Sequence, residues 1–268
     1  MLKDITLGQY FPGSTVAHRL DPRTKILLVV LYIVALFCAK GAVGYAVMAL
    51  VLLTCARISK VKFKSLVRGL KPVLFIIIFT AIMNLFFTPG ENYIFELGFL
   101  RVSAEGLRNA FFMVLRIMML IMGTFLMTYT TSPISLTDGL ERLLNWMKKL
   151  RVPVHELAMM MAIALRFIPT LIEETDKIMS AQKARGADFE SGNLIQKAKA
   201  MLPILVPLFV SAFRRADELA TAMECRCYHG GEGRTKLHVL KYESRDYIAL
   251  ALGAAVLALI LTLRKFVS

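Results

Sequence analysis

Long apolar runs alternate along this chain with short stretches rich in lysine and arginine. Crossing a bilayer takes about 20 mostly apolar residues, with roughly 17 to 25 as the working range. Five runs approach that length: Thr24 to Ala39, Ala42 to Ala56, Pro72 to Phe87, Leu107 to Tyr129 and Tyr247 to Leu263. Lys40-Gly41 breaks the first pair, which therefore reads as a tight hairpin of two spans.

Between the fourth and fifth runs the pattern changes to one-sided helices. Ser132 can cap free amides and Pro133 suits a first helical turn, so a helix is expected to start there. Leu136, Leu140, Leu143, Leu144 and Met147 fall on one face of it, opposite Asp138, Glu141, Arg142, Asn145 and Lys148. A second helix starts at Pro153 and, if it continues to Ala184, is roughly 45 Å long at 1.5 Å per residue. Its run from Leu157 to Leu165 is too short to span, and beyond a kink at Pro169 it turns amphipathic. A third helix is expected over Met201 to Met223, with Leu205, Leu208, Phe209, Ala212 and Leu219 at helical spacing. The second and third helices share one design: an apolar start, a proline, an amphipathic stretch, and an arginine between small residues.

Composition supports a bilayer as the solvent. Of the 268 residues 57% are hydrophobic, against roughly 45 to 50% in soluble domains. Thirty-three Lys and Arg against 19 Asp and Glu leave a formal charge of +14, but the apolar runs argue against nucleic acid as the partner of that excess. The charges are segregated. Arg57, Lys60, Lys62, Lys64, Arg68 and Lys71 follow the second run with no acid among them, which makes that loop cytoplasmic. Anionic lipid is a second reading of those six bases, although positive-inside topology accounts for them without a special partner. The next loop carries Glu91, Glu96 and Glu105 against Arg101 and suits the outside, so the N-terminus and the segment from Thr130 to Asp246 are expected in the cytoplasm. Arg264 and Lys265 would then lie outside, against the rule. The N-terminus has no pattern of a cleaved signal. Cys38 and Cys55 lie in apolar runs, Cys225 and Cys227 in a basic one, and no disulfide framework follows.

Arg185 stands where the second helix should end, because Gly186 can take the left-handed cap conformation. Its small neighbours would let a partner surface approach, and a guanidinium offers a planar fork of donors to carboxylates or carbonyls. Cys225 and Cys227 flank Arg226 in the same way. The plainer reading is a base favoured by the helix dipole at a C-terminus; two matching tips weigh against it. The pattern resembles the transmembrane T component of energy-coupling-factor (ECF) transporters. The resemblance is carried by Gly8 to Gly13 with His18 to Lys25, by Thr130-Thr131-Ser132-Pro133, by Ala164 to Pro169 leading to Ala181 to Gly186, and by Glu224 to Tyr228. The family's second motif is usually another Ala-Arg-Gly, so the two cysteines depart from it and leave glycine's backbone freedom in question.

What the resemblance implies is an all-α integral membrane protein with about five transmembrane helices plus three cytoplasmic coupling helices in the cell membrane. Residues 1–130 would form an N-terminal bundle, 131–232 the coupling-helix module, and 233–268 a linker and C-terminal span. Ala184, Arg185, Gly186, Cys225, Arg226 and Cys227 would dock into two ABC-type ATPases, which hold the ATP and Mg²⁺; this chain would bind no cofactor. The other partner would be a substrate-binding S component for a vitamin or transition-metal ion. Candidates for its surface are Leu136, Leu140 and Leu144, with Met159, Met160 and Met161, and with Leu208 and Phe209, since methionine adapts to differently shaped partners. Ordinary packing among the helices competes for part of that surface.

Enzyme readings are thinner. Glu173, Glu174, Asp176, Asp217 and Glu218 could hold a metal in a membrane prenyltransferase-like enzyme, but a solvated face of helix pairs explains them more simply. Cys225, Cys227 and His229 lack the spacing of common zinc sites. No nucleotide loop or catalytic triad is present. A permease that moves solute through its own bundle is a third option. Arg116, inside the fourth run, should line a cavity or pair with a carbonyl.

Overall fold

The computed structural model describes residues 10–87, 93–97, 100–189, 193–230 and 239–267. Gly8, Gln9 and Glu91, used above, lie outside them. The architecture is helical: α1 Val16–Arg19, α2 Pro22–Cys38, α3 Gly41–Ile58, α4 Phe63–Leu70, α5 Leu74–Phe87, α6 Ala104–Thr130, α7 Pro133–Leu143, α8 Val154–Ala184, α9 Leu194–Glu224 and α10 Ser244–Val267. A small antiparallel hairpin, β1 Tyr93–Leu97 with β2 Leu100–Ser103, occupies part of the loop between the third and fourth apolar runs. Each expected span is a helix. Among the described residues six helical stretches are long and apolar enough to cross a membrane, 41–58, 63–86, 104–130, 154–184, 195–225 and 244–265, while α2 has 17 residues. The apolar start of α8 is not a short run on its own, because the helix continues through Pro169 for 31 residues.

The described residues form two compact units, one within 140–239, the other within 10–139 and 240–267. In the second unit α6 is central and packs against α2, α3, α4 and α5, while α10 packs on α2. Leu36, Met48 and Leu66 are fully buried, and Leu52, Leu70, Met119, Met122 and Ile260 complete the core. Close approach at α6 depends on Gly123, whose added Cβ would collide with the Tyr32 ring. The outer faces stay apolar: Phe75, Ile76, Ile78 and Phe79 of α5 are all exposed, as a lipid-facing surface requires.

A polar hub joins helix ends in this unit. Asp21 caps α2 by accepting from the Arg23 amide at 2.9 Å and pairs with the Arg23 guanidinium at 2.8 Å. The Asp21 amide donates to Asp246 at 2.9 Å, and the other Asp246 oxygen accepts from the Glu243 amide at 2.9 Å. Arg23 also lies 4.0 Å over the Tyr242 ring. Lys25 is buried and donates to the Thr130 carbonyl at 2.8 Å and that of His18 at 3.2 Å. Four helices, α1, α2, α6 and α10, are thus tied by side chains that satisfy exposed backbone groups at their ends. Among the described residues Arg116 has no hydrogen bond to a carbonyl; its guanidinium sits 5.6 Å from the Phe37 ring and 5.7 Å from that of Tyr45, an attraction between cation and π-face.

In the first unit, α7 gives way at Leu144 to a tighter 3₁₀ turn through Leu150, ending at Arg151 with φ 61°. The residue before Pro153 cannot continue a helix comfortably, which accounts for the stop. Ser132 caps α7, accepting from the Ser135 amide at 3.2 Å. Helix α9 starts at Leu194, earlier than its apolar spacing indicates, because Asn193 and Gln196 form a reciprocal capping box.

Asp246→Ala should strand two backbone donors, those of Asp21 and Glu243, and cost about 1 to 3 kcal/mol. Thermal unfolding of the detergent-solubilised chain checks this: the midpoint should fall, whereas Glu243→Ala, which keeps the backbone donor, should leave it nearly unchanged.

Candidate functional site

Both arginine tips are closed by the same backbone geometry. At the end of α8 the Gly186 amide donates to Lys183 at 3.0 Å and the Ala187 amide to Gln182 at 3.0 Å, with Gly186 left-handed at φ +86°. At the end of α9 the Cys227 amide donates to Glu224 at 2.8 Å and the Tyr228 amide to Met223 at 3.0 Å, with Cys227 left-handed at φ +55°. These paired bonds are the Schellman closure of a helix. Each arginine is the last residue before the left-handed one, and Cys227 stands where the first tip has Gly186. Glycine's freedom is therefore replaced by a cysteine held in a conformation that costs an ordinary residue roughly 1 to 2 kcal/mol. Ala184, Arg185, Gly186, Cys225, Arg226 and Cys227 are all solvent-exposed, and both cysteines are free thiols.

The helices that carry the tips run antiparallel. Glu174 in α8 accepts from the Ser211 hydroxyl and pairs with Arg215 at 2.9 Å, both on α9. Further along, the Tyr228 hydroxyl reaches the Met159 sulfur at 3.1 Å. The start of α8 thus lies beside the end of α9. Arg226 is level with the first turns of α8, and Arg185 lies at the far end, about 40 Å away at 1.5 Å per residue. Glu174 is an interhelical bond rather than a free ligand. His155 is likewise engaged, with Glu141 at 3.0 Å, and no group of three metal-ligating side chains occurs among the described residues.

The apolar candidates differ in exposure. Leu136, Leu140, Leu144, Met159 and Leu208 are half-buried, whereas Met160, Met161 and Phe209 are exposed. In the antiparallel pair Met159 to Met161 sit near the Arg226 end, and Leu208 and Phe209 lie roughly 27 Å along it by helical rise. Phe209 belongs to a longer stripe on α9, while Leu208 lies off it: Leu202, Val206, Phe209 and Phe213 are each more than half exposed, and the two phenylalanine rings stack at 6.4 Å. The face expected from apolar spacing, Leu205, Leu208, Phe209, Ala212 and Leu219, shares only Phe209 with this stripe, and Leu208, Ala212 and Leu219 on it are half-buried.

A helical chain with several helices apolar enough to cross a membrane fits a membrane-transport component, and comparison with known proteins shows its family. Residues 13–237 match the family described as cobalt transport protein. The chain is 57% identical over 266 residues to the energy-coupling factor transporter transmembrane protein EcfT of Clostridium kluyveri, covering 99% of this chain and 98% of that one. It is 48% identical over 264 residues to the protein of the same name in Bacillus subtilis, covering 98% and 100%. With that of Lactococcus lactis it shares 45% over 267 residues, the full length of both. The chain belongs to this family of energy-coupling-factor transmembrane proteins, and its part is non-catalytic.

Two substitutions separate backbone strain from sulfur chemistry. Cys227→Gly should stabilise the α9 tip by about 1 kcal/mol and slow exchange of the Tyr228 amide about fivefold. A Cβ at Gly186 would meet nothing within 4 Å, so Gly186→Ala should destabilise its tip through the backbone alone, by a similar amount. Hydrogen exchange of the Ala187 and Tyr228 amides reads both.

Proposed function

We propose that this chain is the coupling subunit of an ECF-type ABC importer in the cell membrane. Motion driven by two cytoplasmic ATPases enters through Arg185 and Arg226 and passes along α8 and α9 to an S component that captures a vitamin or transition-metal ion. The observation that carries this reading is the pair of matching tips, each an exposed arginine on a Schellman-closed helix end, at opposite ends of one antiparallel pair. Sites about 40 Å apart by helical rise suit two separate receptors better than one groove. Small residues beside each guanidinium leave room for a pocket wall, and the fork of donors suits an acidic or carbonyl-lined groove. ATP and Mg²⁺ belong to the ATPases. The exposed α9 stripe with Phe209 and the half-buried Leu208 beside it, and the exposed Met160 and Met161 beside half-buried Met159, are the surfaces offered to the S component and lipid, with Leu136 and Leu140 of α7 and Leu144 of the 3₁₀ turn that follows it. The N-terminus and these helices face the cytoplasm in the orientation set by the basic loop 57–71.

Arg185→Ala with Arg226→Ala should abolish uptake in proteoliposomes holding all subunits, while the chain still inserts and still retains its S component. Each single change should weaken ATPase docking by about 2 kcal/mol, the range of an interface hot spot, or roughly thirtyfold in affinity. Undiminished uptake by the double variant would remove the mechanism.

A further inference from the structure

The short helix α4 has a surface that coupling does not use. At about 100° per residue, its side chains fall into three successive sectors. Leu66 and Leu70 are buried in the core, and Gly69 lies against the Phe125 ring, where an added Cβ would come within 2.7 Å of Cδ2. Beside them Phe63 and Val67 are apolar yet 53% and 44% exposed. Beyond these come Lys64 and Arg68, both exposed, with exposed Lys60 and Lys62 on the approach to the helix. Among the described residues none of these four cations has an ion pair or side-chain hydrogen bond, and the stretch from Arg57 to Lys71 contains no acid.

Positive-inside topology requires bases near the ends of spans but says nothing of the order of sectors. Protein core, then exposed apolar side chains, then cations is the order of a helix lying in a membrane interface, its apolar flank among acyl chains and its charges at the phosphates. The position agrees: α4 lies between α3 and the strongly apolar α5, at the basic end of the 63–86 stretch. We propose that α4 is an interfacial helix that binds anionic phospholipid headgroups of the cytoplasmic leaflet through Lys60, Lys62, Lys64 and Arg68, with Phe63 and Val67 seated among the acyl chains. The inference rests on the membrane reading and on the orientation of this loop, not on the arginine tips.

The test uses the full chain alone, in mixed micelles of phosphatidylglycerol and phosphatidylcholine, with retained lipids counted by native mass spectrometry. The unaltered chain should favour phosphatidylglycerol by at least about tenfold, since several bases near an anionic surface act together, and added salt should erode the preference. The set K60Q, K62Q, K64Q and R68Q should lose it, while K60R, K62R and K64R together should keep it. An unaltered chain with no headgroup preference overturns the proposal. So does a glutamine set that retains its lipid preference but loses the ATPases on co-purification, which would assign the cations to a protein contact. Because no ATPase enters the lipid measurement, failure of the arginine docking would leave its result intact.

Discussion

One carboxylate fixes the geometry from which the functional reading follows. Glu174 accepts from both Ser211 and Arg215, so that α8 and α9 are held side by side at their middles. Two helices of 31 residues joined in antiparallel fashion at this point must send their C-terminal ends in opposite directions. Met159 and Tyr228 make the same register visible nearer the α9 tip. Each arginine then stands at an end of the pair, where its guanidinium is exposed and backbone bonds close the helix behind it. Without that clasp two similar tripeptides would be no more than basic helix termini favoured by the dipole.

The tips are alike in backbone and unlike in chemistry. Gly186 reaches its left-handed φ without steric cost, whereas Cys227 holds the same turn with a side chain attached. The Tyr228 amide after it closes the helix, and the Tyr228 hydroxyl reaches back to Met159. The second tip is therefore anchored to its neighbouring helix by a side chain close behind the arginine. Arg226 therefore lies a short way from the first turns of α8, where exposed Met160 and Met161 lie. Around the α6 bundle, a different device serves: charged side chains at helix ends bond backbone groups of other helices, and the apolar exterior is left to lipid.

Much of this was legible in the sequence because its signals are local. Apolar runs located five helices to within a few residues, Ser132-Pro133 located the start of α7, and Gly186 located the end of α8. What was not legible depends on distance or on unusual backbone. Asp21 and Asp246 meet across 225 positions, and no local pattern pairs them. A left-handed cysteine has no compositional signature, so the closure at Cys227 follows only from its bonds. The start of α9 had a readable signal in Asn193 and Gln196, but it precedes a polar first turn that apolar spacing passes over. The acids of α8 and α9 looked like independent solvated charges until Glu174 proved to bridge the two helices.

The central claim is that the two tips engage two different ATPase molecules at once. The most direct measurement places a photo-cross-linking residue at Ala187 and another at His229 in the assembled transporter, singly and together, and weighs the products after irradiation. The account predicts that each single site captures one ATPase and that the double-site chain yields a species of one chain with two ATPases. A double-site product that stops at one ATPase bound by both tips, or tips that capture no ATPase, would contradict it.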